Sequence, residues 1–179
     1  MRLLMLAVVA VATALITGSA FGASAQSPPT GGPVYVHVTA GNGAQPIVIT
    51  GAIGDYGTTR NIDKNGTPND NGNFAKITLK KGTFEANLTL LNAKQNKTQP
   101  RFNKTTCSGT YGPATAPVTL FNGTGLYTGI SGKVNITLNF GFITPVYKNG
   151  PHKGECNMGN VQPLAQWFTI GGQGIVRFS

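Results

Sequence analysis

The sequence predicts an all-β protein, an antiparallel sandwich or closed barrel of eight or nine strands. Three observations predict it. Between Lys133 and Ile143, Val134, Ile136, Leu138, Phe140 and Phe142 alternate with Lys133, Asn135, Thr137 and Asn139. A period of 3.6 would scatter these apolar residues around a helix, whereas a period of two gathers them on one face of a strand. Thr83–Leu90 repeats the pattern, with Phe84, Ala86, Leu88 and Leu90 set against Thr83, Glu85, Asn87 and Thr89. Finally, 25 glycines with frequent Asn and Thr separate the apolar runs, as in chains of strands joined by tight turns.

The chain opens with Arg2, an apolar run over Leu3–Ile16 and the small-residue series Ala23-Ser24-Ala25. This is the order of a secretory leader cleaved after Ala25, and the run is shorter than the ~20 residues a membrane span needs. Residues 1–25 are therefore expected to be a signal peptide. Residues 26–179 are expected to be one domain without a transmembrane span, secreted or held in the cell envelope.

Ser27–Pro33 reads as an exposed lead-in. Val34, Val36 and Val38 mark a first strand, Gly41–Gly43 a turn, and Ile47–Ile53 a second apolar run ending in Gly54-Asp55-Tyr56-Gly57. Arg60–Asn73 is rich in Asn, Asp and Gly and reads as a polar surface loop. Asp63, Asn65 and Thr67 alternate there as calcium ligands do, but no Glu follows at the distal position, so no metal site is expected. Ala75–Lys80 and Thr83–Leu90 are strands around a Lys81-Gly82 turn. Leu91–Thr106 reads as a long polar connection with room for a helical turn, and Thr106–Tyr111 begins another strand. Val118–Phe121 leads into the glycine-rich corner before the long strand. Pro145–Gly159 is a loop. Gln166–Ile170 and Gly174–Phe178 are two final strands broken at Gly171-Gly172.

The two cysteines, Cys107 and Cys156, fall in the exported part, where an oxidising compartment favours one disulfide. His152 lies close to Cys156 on a glycine-flanked loop, a weak signal for a catalytic thiol. Fourteen Lys and Arg face five Asp and Glu. These bases are scattered, with Lys80-Lys81 the one adjacent pair, and no basic stripe with interleaved aromatics predicts a specific nucleic-acid partner. Asn-x-Ser/Thr sequons occur at Asn65, Asn87, Asn96, Asn103, Asn122 and Asn135, in a chain where Asn and Thr are common enough for such matches to arise easily.

The corner Asn122-Gly123-Thr124-Gly125-Leu126-Tyr127-Thr128-Gly129-Ile130-Ser131-Gly132, with its strictly alternating strand behind it, resembles the GxGxYxGxxG turn of the allene oxide cyclase and dirigent barrel-like proteins. Gly51–Thr58 (GAIGDYGT) and Gly82–Phe84 (GTF) extend the likeness. The resemblance implies an eight-stranded antiparallel β-barrel, often trimeric, with an apolar cavity. Tyr127 is expected to plug one barrel end.

In that superfamily a few acidic or polar cavity groups serve cyclisation or guided coupling, and this sequence carries few acids to match them. Asp55 is the one acid left as a weak catalytic candidate at a cavity mouth, against the plainer role of a turn-forming Asp. His37 reads as strand surface or barrel rim, and Trp167 as core or rim packing. No nucleophilic triad, metal cluster, phosphate loop or cofactor motif is present.

The leading functional expectation is a secreted barrel that binds or guides a small apolar molecule, with Phe84, Leu88, Ile136, Leu138 and Phe140 lining the interior. The alternatives are a filled barrel whose basic exterior serves a structural or interaction role at the cell surface, and a cyclase or isomerase. Because the faces opposite these apolar residues are polar, the interior is expected to be apolar and almost free of charge.

Overall fold

The computed structural model describes residues 30–39, 44–159 and 161–179. The leader at 1–25, the start of the lead-in and the Gly41–Gly43 turn lie outside the described residues.

Five strands run as an antiparallel meander: β1 (Gly32–Val38), β2 (Gln45–Gly51), β3 (Asp55–Ile62), β4 (Phe74–Leu79) and β5 (Gly82–Asn87). Helix α1 (Thr89–Lys97) follows, then the short β6 (Arg101–Asn103) and three long strands, β7 (Ser108–Phe121), β8 (Ser131–Ile143) and β9 (Ala165–Arg177). β9 returns to β1, pairing Val176 with Gly32, and β5 joins the end of β7, pairing Glu85 with Phe121. The ring thus closes as an eight-stranded antiparallel barrel of β1–β5 and β7–β9. β6 lies beside the start of β7, and α1 packs along β7 between β5 and β6.

The alternation predicted for β8 sets the register. Val134 pairs with Val118 and Ile136 with Ala116, so both strands turn the same face to the core. β7 keeps this phase through a bulge between Tyr111 and Ala114, where an extra residue bends the strand without exchanging its faces. Beyond the barrel the long strands continue as an extension. There Phe102, Tyr111 and Phe142, with Phe140 at the edge of the barrel, form a chain of ring contacts with centroids 5.7–6.2 Å apart.

Four expected elements differ. The Thr83–Leu90 strand ends at Asn87, whose side-chain oxygen accepts the Thr89 N–H at 2.9 Å and turns the chain into α1. The helix then follows favourable propensities in Leu90-Leu91-Asn92-Ala93-Lys94-Gln95. Leu90 consequently lies outside, 59% exposed, and Leu91 is buried instead. Asp55–Ile62, expected as a turn and the start of a loop, is strand β3. Its inner positions, Gly57, Thr59 and Asn61, give no apolar alternation to read. Thr106–Tyr111 and Val118–Phe121 are parts of the single strand β7.

The final pair of strands is also one. Gly171-Gly172 does not break β9, because glycine lets the backbone run against β8. A Cβ at Gly172 would collide with the Asn135 carbonyl, and one at Gly174 with that of Lys133.

Trp167 sits on the outer face of β9, not in the core. It is half exposed and its indole lies against Gly141 of β8. His37 is exposed on the outer face of β1. Cys107 and Cys156 form the expected disulfide, which ties the turn before β7 to the loop before β9.

Candidate functional site

The barrel interior is a cup with one closed end. The floor is built by the glycine-rich corner between β7 and β8. Gly125 and Gly129 adopt φ of 61° and 74°, a region that favours glycine, and a Cβ at either would strike a backbone carbonyl, of Lys81 and Ser179 respectively. The sharp turn they allow drives Tyr127 into the barrel end, where it is 1% exposed. Its ring meets Phe84 edge-on at 5.5 Å and Phe178 at 6.5 Å. The sequence-based expectation of a tyrosine plug describes this arrangement.

Sequence reasoning missed the partner of that plug. The Tyr127 hydroxyl donates to the Asp55 carboxylate at 2.6 Å, and the backbone N–H groups of Tyr56 and Lys81 donate to the same carboxylate at 2.8 and 3.0 Å. Burial alone would push the Asp55 carboxyl up. The hydrogen bonds from Tyr127, Tyr56 and Lys81, with the Lys81 charge, outweigh it and hold the group below its ordinary value. Burial and the adjacent carboxylate raise the Tyr127 phenol well above its own.

Asp55 is thus 6% exposed, saturated with donors, and not part of the cavity lining. The cavity-mouth position considered for it is corrected: it lies at the floor. Its geometry is that of a bolt fastening the corner to β3. A base needs a lone pair within reach of substrate, and this carboxylate turns its lone pairs to the protein.

Above the floor lies a cavity of about 620 Å³, mouth included and open at that end, within the range of small-molecule sites. The barrel is therefore not filled by its side chains. Phe84, Leu88, Ile136, Leu138 and Phe140 all line the cavity, together with Val34, Ile49 and Ile77 from the meander. Apart from Leu88, which stands between β5 and α1, these residues reach one side because each strand contributes its inward parity.

The other end is open and differs in chemistry. Here the lining comes from the start of β2, the end of β3, the β3–β4 loop and α1: Gln45, Asn61, Asn71, Asn73, Asn92, Gln95 and Asn96. Asn92 Nδ2 donates to the Gly72 carbonyl at 3.2 Å and to Asn73 Oδ1 at 3.0 Å, and Asn61 Nδ2 donates to the Asp70 carbonyl at 3.0 Å. These bonds pin helix, loop and strand into one rim. Asp70 is the single ionisable side chain among the described residues of the lining. The interior is accordingly almost free of charge, as expected. It is apolar only in its depth, because the inner face of β3 and the inward side of α1 supply amides.

Among the described residues, no group of three His, Cys, Asp or Glu could hold a metal ion, and no helix is long and apolar enough to cross a membrane. Compared with known proteins, the chain matches no family model, and no curated protein or solved structure shows significant similarity to it.

Proposed function

We propose that this chain is an exported barrel protein that takes a small, mainly apolar molecule into its interior. The single observation that supports the reading is the cup itself, about 620 Å³ with apolar walls, a bolted floor and an open mouth. Transfer of an apolar molecule from water into such walls is favourable by about 25 cal/mol per Å² of surface removed. Export is supported by the leader-like first 25 residues and by the disulfide, a bond that persists in oxidising compartments. The glycine corner and the closed barrel are also in keeping with kinship to the allene oxide cyclase and dirigent barrels, and a trimeric assembly would follow from that kinship.

Nile red, a neutral apolar dye, tests the reading. The protein is expected to bind it saturably, with a blue-shifted emission. Leu138→Trp, which extends a side chain already lining the cavity, is expected to abolish the signal while leaving the far-UV circular dichroism unchanged. Absence of saturable uptake by the unmodified protein overturns the proposal.

A further inference from the structure

The rim chemistry specifies the guest more narrowly, on the reading that the cavity is a binding site. We infer that the guest is an uncharged amphiphile: an apolar body for the depth of the cup and a neutral hydrogen-bonding head, such as a hydroxyl, carbonyl or amide, for the mouth. A fatty-acid carboxylate does not fit.

The inference starts from where the cations are not. The chain carries fourteen Lys and Arg, yet none lines the cavity among the described residues. Arg60 and Lys76, which pair across β3 and β4, occupy the outer parity of those strands, opposite Asn61 and Ala75. On α1, Leu91, Asn92 and Gln95 face the cavity, and the helical period carries Lys94 and Lys97 to the exposed side. Asp70, the one ionisable residue of the lining, bonds Asn61 through its backbone carbonyl and is exposed to water, so neither an anion nor a cation finds a buried counter-charge at the mouth. A carboxylate or an ammonium drawn into the mouth would therefore give up part of its hydration without gaining a buried counter-charge.

The amides present the opposite case. Each offers two N–H donors and a carbonyl acceptor, so together they satisfy a neutral head that both donates and accepts. Asn61 and Asn92 already spend donors on the rim. Every buried side-chain polar atom among the described residues has a partner, so the amide capacity that remains is accessible to water or to a guest. Such a head replaces water at little cost, while its apolar tail gains from the walls.

Displacement of Nile red by three ten-carbon probes tests this at neutral pH: decan-1-ol, decanoate and decylammonium. Decan-1-ol is expected to displace the dye at concentrations at least tenfold below either ion. The variant Gln95→Lys sets a cation at the mouth on an accessible helix position, and it is expected to bring decanoate level with decan-1-ol or ahead of it. Decanoate or decylammonium displacing the dye as well as decan-1-ol from the unmodified protein overturns the neutral-head inference and leaves the cavity reading standing. So does a Gln95→Lys variant with unchanged preference. If Nile red is not taken up at all, the cavity reading falls and this inference falls with it.

Discussion

The floor and the mouth of this barrel are made by opposite means. At the floor, Tyr127 meets Phe84 and Phe178, its hydroxyl is bound to a buried carboxylate, and backbone geometry admits only glycine at Gly125 and Gly129. At the mouth, Asn61 of β3 and Asn92 of α1 fasten the β3–β4 loop through hydrogen bonds near the surface. Interactions between exposed polar groups exchange readily with water and contribute little net stability, whereas buried aromatic packing and charge-assisted hydrogen bonds contribute much. The comparison teaches a division of labour. On the proposed reading, stability resides where no guest would pass, and recognition where substitution is cheap.

The sharpest way to break that comparison is Tyr127→Ala. It removes a large buried ring and leaves the Asp55 carboxylate short of a donor, so the expected loss is about 3–5 kcal/mol. For a chain of this size that amounts to roughly 10 °C or more in melting temperature by calorimetry. A shift of one or two degrees would show that the floor is not where stability lies.

Next in size is the disulfide, which belongs to the mouth end. Cys107 and Cys156 are 49 residues apart, and cross-links closing loops of this length typically stabilise by about 2–4 kcal/mol. Replacing both cysteines by Ser is expected to lower the melting temperature by less than Tyr127→Ala does, with Nile red binding retained. Loss of dye binding in the folded double variant would show that the covalent tie shapes the mouth.

The smallest effect concerns pH and isolates the bolt. Asp55 has a depressed folded value, so its stabilisation is present above its unfolded value near pH 3.9 and is lost as pH falls through the folded one. Tyr127 has a raised folded value, so its contribution is present below its unfolded value near pH 10 and is lost as pH rises through the folded one. Tyr127→Phe keeps the ring and removes the donor. Its deficit is expected to be about 2 kcal/mol, steady between pH 5 and 9 and shrinking below pH 4 as the carboxylate protonates. A deficit that stays constant down to pH 2 would dissociate Asp55 from the hydroxyl's role.

The two ends were not equally legible in the sequence. The floor was, in part, because its determinants are local: Gly125, Tyr127 and Gly129 stand within five residues, and β8 announces its register by alternation. The bond from Tyr127 to Asp55 was not legible, because 72 residues separate the partners and nothing in either neighbourhood marks the pairing. The mouth is poorly legible for a different reason. Thr59 and Asn61 on the inner face of β3 look like residues that face water, and α1 buries only Leu91, too little to impose a helical period. An open cup is the one place in a fold where polar residues point inward without a core to contradict them, so patterning arguments fail there for a physical cause.

The inner face of β9 bears on how such a protein changes over generations. Between Ile170 and Val176 it presents Gly172 and Gly174, each flush against the main chain of β8. Random substitution ordinarily closes voids one methyl group at a time. Here the first methyl group would meet a peptide carbonyl that cannot step aside without parting the two strands. Along this strand the close approach is inherited with the course of the backbone and is shielded from drift. The facing wall has no such protection. Ala75 and Ala86 line the cup with the smallest side chains that carry a Cβ, and each has larger neighbours in the genetic code. A lineage adapting to a new guest would therefore write the change on β4 and β5, and leave β9 as a fixed gauge against which each revision is fitted.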